Sequence, residues 1–219
     1  VPPLTPQLIP MIAFGSNASR VGKDTAAKFA LEFGRELFGA AARLSFSSSI
    51  KSVSHDLFGC HGLQPGPFYE LPENEHLRTV KLPVINRSPL EIWIMVGDKM
   101  REIHEDVWID QARAVVNRDP EQPSRVFLNI ESSLRFPNEC SWISERGGWC
   151  VKIFREGAPV YALDRKIPES YSWDRVLTND GTKEELRDKI REVVEDYHRY
   201  WLYRQAVRAK AETLGGEVC

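Results

Sequence analysis

The stretch GSNASRVGKDTAA, Gly15 to Ala27, decides how the rest of the chain is read. It follows a short apolar run, Met11 to Phe14, and it precedes apolar residues at Ala26, Phe29, Ala30, Phe33 and Leu37, the spacing of one helix face. A buried strand, a loop and an amphipathic helix are expected in that order. The loop approximates G-x-x-x-x-G-K-[ST], in which successive backbone N–H groups and a helix N-terminus cradle phosphate oxygens. Two positions depart from the pattern: Asn17 stands where the first glycine would be, and Asp24 follows Lys23, with Thr25 one place late. Asn17 is expected to take the left-handed conformation of that glycine, because its short polar side chain tolerates positive φ. Gly22 keeps the tight turn, Lys23 keeps the charge that reaches the outer phosphates, and Thr25 offers the hydroxyl for magnesium. Asp24 can accept a proton, orient a water of the magnesium shell, or favour the first helical turn. The plain alternative, a turn that merely caps a helix, is weakened by the strand before and the helix after.

Outward from the loop, β and α signals alternate. A second strand is expected over Ala42 to Ser47, followed by serines that cap a helix around Ile50 to Phe58. Residues 59–87 are rich in glycine and proline, long for a connection and expected near the acceptor substrate, with Phe68 and Tyr69 as candidates for stacking on a nucleobase. Ser88-Pro89-Leu90-Glu91 reads as a capping box that starts a helix through about Ile103. Val126 to Ile130 and Trp149 to Phe154 are further strand candidates, separated by the helix-like FPNECSWISERGG with its glycine stop. Asp174 to Thr178 is a last short strand, and Thr182 with Glu185 opens a long helix marked by Leu186, Ile190, Val193, Tyr197 and Trp201. The alternation predicts an α/β fold with a central, mostly parallel sheet and a helical insertion. The expected boundaries are a loose arm over 1–10, one domain over 11–202 with the 59–87 insertion, and a helix end and frayed tail over 203–219.

Composition narrows the function classes. At 219 residues the chain is long enough for one substantial core, and 42% hydrophobic with 27% charged residues is ordinary for a soluble globular protein. The 29 basic residues are balanced by 31 acidic ones, which removes the global electrostatic argument for a nucleic-acid coat and leaves only a local basic groove open. Cys60, Cys140, Cys150 and Cys219 contain no C-x-x-C pair, so neither a zinc site nor a disulfide framework is indicated, and a reducing cytoplasm fits. The five histidines share no metal-ligand spacing, and the tryptophans mostly fall at periodic apolar positions expected in the core. No apolar run is long enough to span a bilayer, and VPPLTPQLIP is too proline-rich and uncharged for a secretory signal.

GKDTAA resembles the loop of phage deoxynucleoside monophosphate kinases, and further matches follow in order. Ser132 to Glu156, SSLRFPNECSWISERGGWCVKIFRE, is similar to that family's strand ending in Asp-Val-Arg-Phe-Pro-Asn-Glu, with a helix, Gly-Gly, a strand and an arginine after it. Asp174 to Leu186, DRVLTNDGTKEEL, resembles the strand-to-helix connection Asn-x-Gly-Thr-x-x-Glu-Leu near the nucleotide base, and Ser88 to Glu102 is similar to the family's Thr-Pro-Arg-Glu helix. The ordered series covers roughly residues 11 to 195. It implies a P-loop NTPase-type three-layer sandwich, ATP as phosphoryl donor and Mg2+. By the resemblance, Asn17, Ala18, Ser19, Arg20, Val21, Gly22, Lys23, Asp24 and Thr25 hold the phosphates and metal, with Thr25 and Asp24 nearest magnesium. Arg155, Asn179 and Gly181 contribute on the nucleotide side, and Arg135 with Arg101 or Arg155 clamps transferring or acceptor phosphate. Taken alone, Arg135 and Arg155 read equally well as surface ion pairs.

The departures fall on the acceptor side. Leu90 replaces the arginine of Thr-Pro-Arg, Ile94 falls near its glutamine, Ser133 replaces the aspartate of Asp-Val-Arg, and Phe46-Ser47-Ser48-Ser49-Ile50-Lys51 lacks the aspartate of Phe-Ala-Asp-Pro-Leu-Lys. Glu131, two residues before Ser133 on the same side of an extended segment, is the candidate replacement carboxylate. Three functions compete. A kinase that makes a dNDP from a dNMP needs no strong base, because its acceptor is already an anion. A kinase of the same fold acting on 5-hydroxymethyluracil in phage DNA would use Asp24 or Glu131 for the hydroxyl proton and would contact DNA. A nucleotide-binding module without turnover is the third. A phage-encoded chain would work in the host cytoplasm, no membrane partner is expected, and a homodimer stays open. Arg165 and Lys166 are candidates for a lid over ATP.

Overall fold

The computed structural model describes residues 8–116, 127–160 and 167–215. In chain order the elements are β1 (Met11–Gly15), α1 (Lys23–Phe38), β2 (Ala41–Leu44), α2 (Phe46–Phe58), three 3₁₀ segments (Gly59–His61, Gly66–Glu70 and Pro72–Thr79), α3 (Pro89–Ile103), α4 (Val107–Val116), β3 (Leu128–Leu134), α5 (Pro137–Glu145), β4 (Trp149–Phe154), β5 (Arg175–Thr178) and α6 (Lys183–Gly215). They cluster into two compact units, Val1–Leu44 with Glu121–Cys219, and Ser45–Pro120.

The first unit is an α/β layer structure. Its five strands are all parallel, in the order β2-β3-β1-β4-β5. A parallel sheet buried on both faces needs apolar side chains in both directions, and MIAFG and the start of β4 supply them. Ile12, Phe14, Leu128, Ile130, Trp149, Val151 and Ile153 turn to the face covered by α1 and α6. The predicted helix periods are realised there: Ala26, Ala27, Ala30 and Phe33 of α1 meet Leu186, Ile190, Val193, Tyr197 and Trp201 of α6. Cys150 turns to the opposite face, where its thiol lies 3.8 Å from the Cys140 carbonyl oxygen of α5. Tyr197 is fully buried, and its hydroxyl donates to the Gly147 carbonyl at 3.0 Å and accepts from the Met11 amide at 2.9 Å. One phenol thus ties α6 to β1 and to the turn before β4.

The strand order fixes where chemistry can sit. From β1 the chain moves through α1 to β2 at one edge of the sheet. It returns in β3 beside β1, and α5 then carries it past β1 to β4 on the other side. Connections from β1 and β3 therefore leave in opposite directions, which opens a crevice at their carboxyl ends.

Several expectations are corrected. The second strand ends at Leu44, and Phe46 and Ser47 begin α2 instead of closing the strand; extended Ser45, φ −153°, precedes Phe46, which is buried as a helix anchor. The third strand runs on to Leu134, because Glu131 and Ser132 are buried within it although both are polar; Val126 lies outside the described residues. The sheet is wholly parallel. Of the expected loose arm, residues 1–7 lie outside the described residues, whereas Ile9 donates to the Arg146 carbonyl and Pro10 accepts from the Asn129 amide, each within 3.0 Å. The last helix continues to Gly215, past the expected start of the frayed tail at TLGGEVC. Arg165 and Lys166 lie outside the described residues.

In the second unit the anticipated capping box is present: the Ser88 hydroxyl accepts from the Glu91 amide at 3.3 Å, and the Glu91 carboxylate accepts from the Ser88 amide at 2.7 Å. The Gly/Pro-rich region builds a small core of Leu63, Tyr69, Ile92 and Trp93. Tyr69 is 2% exposed, with its ring against Trp93 and its hydroxyl accepting from the Gln64 amide, so it is a core residue and offers no stacking face. Helix α4 was not anticipated; it buries Trp108, Ile109 and Ala112, and the Trp108 indole N–H donates to the Gly97 carbonyl at 3.1 Å. No helix among the described residues is long and apolar enough to cross a membrane.

Candidate functional site

The segment after β1 turns sharply. The Ser16 hydroxyl accepts from the Ala18 amide at 3.1 Å, and the Ser19 amide donates to the Pro159 carbonyl at 2.9 Å, which holds the loop to the turn after β4. The left-handed steps occur at Arg20, φ 59°, and Gly22, φ 97°. Asn17 does not take positive φ as expected. The reversal is made nearer the helix, and Asn17 instead turns its amide oxygen inward, where no donor among the described residues reaches it.

Gly22 is required for two independent reasons. Its φ is unfavourable for a side chain, and a Cβ there would lie 2.6 Å from Asn179 Nδ2. That amide donates to the Val21 carbonyl at 2.8 Å, while the Asn179 backbone N–H donates to the Phe154 carbonyl at 2.7 Å. Asn179, 9% exposed at the end of β5, therefore braces the loop from the side. Gly22 is also the N-cap of α1, and a glycine brings no side chain of its own to cap the helix, whose dipole favours an anion beside Lys23.

Asp24 is 74% exposed at its side chain, and Oδ1 accepts from Arg43 Nη2 at 2.5 Å. The Ser132 hydroxyl donates to the same oxygen at 3.2 Å and accepts from the same Nη2 at 2.8 Å. Helix α1, β2 and β3 thus meet in one Asp–Arg–Ser cluster at the crevice. Thr25 is half-buried beside it. Glu131 is fully buried, and its carboxylate accepts from both the amide and the hydroxyl of Ser133, so the two do share one side of the strand.

Arg135 follows β3 half-buried, its amide donating to Glu139 Oε2 at 2.9 Å. Arg155 follows β4 and is exposed. Gly181 has a packing reason of its own: the Glu185 carboxylate folds back to accept from the Thr182 amide at 3.1 Å, and a Cβ on Gly181 would sit 1.6 Å from its Oε2. Lys23, Asp24, Thr25, Arg135, Arg155, Asn179 and Gly181 all fall at the carboxyl-end rim of the sheet or in the segments that leave it, whereas Glu131 lies in the middle of β3. Arg101 belongs to the second unit, on α3, where Nη1 donates to the Gly97 carbonyl at 3.4 Å. That unit also holds a cavity of about 300 Å3 lined by Ser48, Lys51, His55, Gly66 and Glu70, among others, with the Lys51 ammonium on the Glu70 carboxylate at 2.8 Å.

Sequence reasoning missed Arg43 and Ser132. The available signal was a lone basic residue in the edge strand AARL, whose meaning depends on a partner 89 positions away. Among the described residues no group of three or more His, Cys, Asp or Glu is placed to hold a metal ion. A comparison with protein-family models and with curated proteins found no match.

Proposed function

We propose that the chain is a P-loop kinase that uses ATP and Mg2+ to phosphorylate a deoxynucleoside monophosphate. The observation that supports this most is the loop 16–22: it leaves β1 at the point where the sheet connections diverge, reverses at Arg20 and Gly22, and delivers Lys23 to a helix N-terminus whose N-cap residue is a glycine. The ordered resemblance of residues 11 to 195 to phage deoxynucleoside monophosphate kinases supports the same reading. The residues fit ATP: the loop amides and Lys23 would take the β- and γ-phosphates. They fit magnesium only as an ion shared with those phosphates, with the Thr25 hydroxyl as protein ligand, the usual arrangement for a cation that keeps most of its waters. Asp24 is a weaker ligand candidate, because Oδ1 already serves Arg43 and Ser132.

The same contacts favour a phosphate acceptor over a hydroxymethyl group in DNA. A hydroxyl acceptor needs a presented base. Asp24 is engaged by a guanidinium, and Glu131 is buried against Ser133. A phosphate acceptor needs positioning and charge neutralisation instead. The test offers γ-labelled ATP and magnesium with each dNMP and, in parallel, with a duplex containing 5-hydroxymethyluracil. Label is expected on a dNMP, and Lys23→Ala should lower the rate by about 10²–10³-fold. Label on DNA alone would move the acceptor to the modified base. ATP binding without transfer would leave a nucleotide-binding module, and full activity in Lys23→Ala would sink the phosphate-loop reading.

A further inference from the structure

The cluster at the crevice contains a cation that the resemblance to a kinase family does not supply. Arg43 carries five N–H donors, and its hydrogen bonds among the described residues, to Asp24 and Ser132, both use Nη2. Toward the described residues Nε and Nη1 keep their donors open, on a side chain that is 40% exposed. The backbone beneath it is a strand, paired to Ile130 of β3, and Ser132 beneath the guanidinium is 5% exposed, so one corner of the fork is fixed on rigid elements. Nη2 belongs to both bidentate edges of the group, so a guanidinium anchored at that corner is held in one orientation and offers a phosphate oxygen a single charge-assisted hydrogen bond, from Nη1 or from Nε. Its place beside the first turn of α1, at the carboxyl ends of β2 and β3, is the polar rim where a second anion would approach the loop.

We propose that Arg43 is a binding residue for the phosphomonoester of the acceptor, with Asp24 and Ser132 positioning its guanidinium. This rests on the reading of the site as a phosphoryl-transfer site and names a residue within it. It also changes the part of Asp24, whose carboxylate orients the arginine.

The test is calorimetric titration of the full chain with each of the four dNMPs and with inorganic phosphate, and separately with ATP and magnesium, for the wild type, Arg43→Ala and Arg43→Lys. Losing a charge-assisted hydrogen bond should weaken dNMP binding about tenfold to a hundredfold in Arg43→Ala, with ATP affinity within about twofold of wild type. Arg43→Lys keeps the charge and loses the planar group that Asp24 and Ser132 orient, so it should fall between, and it decides the matter if Arg43→Ala does not melt like the wild type. Unchanged dNMP binding in a folded Arg43 variant overturns the proposal. So does an equal loss of ATP affinity, a loss confined to duplex DNA, or a wild type that binds no phosphomonoester. The kinase reading fails separately: label transfer to a dNMP with a normal Arg43→Ala removes only the role of Arg43. Arg43-dependent phosphomonoester binding without any transfer removes only the reaction.

Discussion

The two compact units solve the burial problem differently. The first stacks helices on a parallel sheet, and its core joins residues far apart in sequence, such as Phe14, Phe33, Ile153 and Tyr197. The second is assembled from helices and 3₁₀ segments around Leu63, Tyr69, Ile92 and Trp93, residues drawn from one stretch of about thirty positions. The difference teaches where precision is available. A loop hung between buried parallel strands inherits the rigidity of the sheet, whereas a small core of few buried side chains opens more readily.

The comparison breaks most directly at its two cores. Phe33 is 1% exposed, and the Arg191 guanidinium lies over its ring 4.2 Å from the centroid. Phe33→Ala should cost about 3–5 kcal/mol, read as a shift in the urea midpoint of the sheet unit by circular dichroism. Leu63 is as buried, and Leu63→Ala should cost about 2–4 kcal/mol, with the loss of hydrogen-exchange protection concentrated in the amides of 58–80. Equal global loss of protection in both variants would show that the local core is no softer than the sheet.

A smaller effect sharpens the same contrast. Tyr197→Phe leaves the ring in place but strips partners from the Met11 amide and the Gly147 carbonyl, both joined to it across the sheet unit. Two buried backbone groups losing one shared hydroxyl should cost about 1–3 kcal/mol in denaturant unfolding. A loss near zero would mean that water replaces the phenol, and that the unit is less closed than the burial of Tyr197 implies. Burial also pushes the Tyr197 phenol above its ordinary value, so in the folded state it should ionise at a higher pH than an exposed tyrosine, read by ultraviolet titration.

Legibility followed the physics of each element. Helices α1 and α6 were readable because an apolar face repeats locally, and both capping boxes were readable because a side chain three residues away satisfies an orphan amide. The end of β3 was not, since Glu131 and Ser132 look exposed until their partners, Ser133 and the Asp24–Arg43 pair, are in place. The loop's position was legible from Gly22 and Lys23, yet its left-handed step at Arg20 was not, because arginine carries no preference for positive φ. Arg43 and Asn179 escaped or were named for another reason, since both act across the sheet on segments distant in sequence.

The two capping boxes allow the finest comparison, one in each unit. Ser88 is 5% exposed and opens α3, whose first turns bury Pro89, Ile92 and Trp93, whereas Thr182 opens α6 in an exposed turn. Ser88→Ala should cost about 1–2 kcal/mol and Thr182→Ala about 0.5 kcal/mol, because a frayed exposed turn recovers its hydrogen bonds from water. Acid separates them further. The backbone hydrogen bond from Ser88, and next the Ser88 hydroxyl, hold the Glu91 carboxyl below its ordinary value. A lowered folded value means that the unfolded chain binds the proton more readily, so this contribution is complete above the ordinary carboxylate value of about 4.3 and is lost as the pH falls through the lowered one. The melting difference between wild type and Glu91→Gln should therefore be constant at neutral pH and shrink below about pH 4. A difference that persists unchanged into acid would mean that the Ser88 box does not depend on the charge of Glu91.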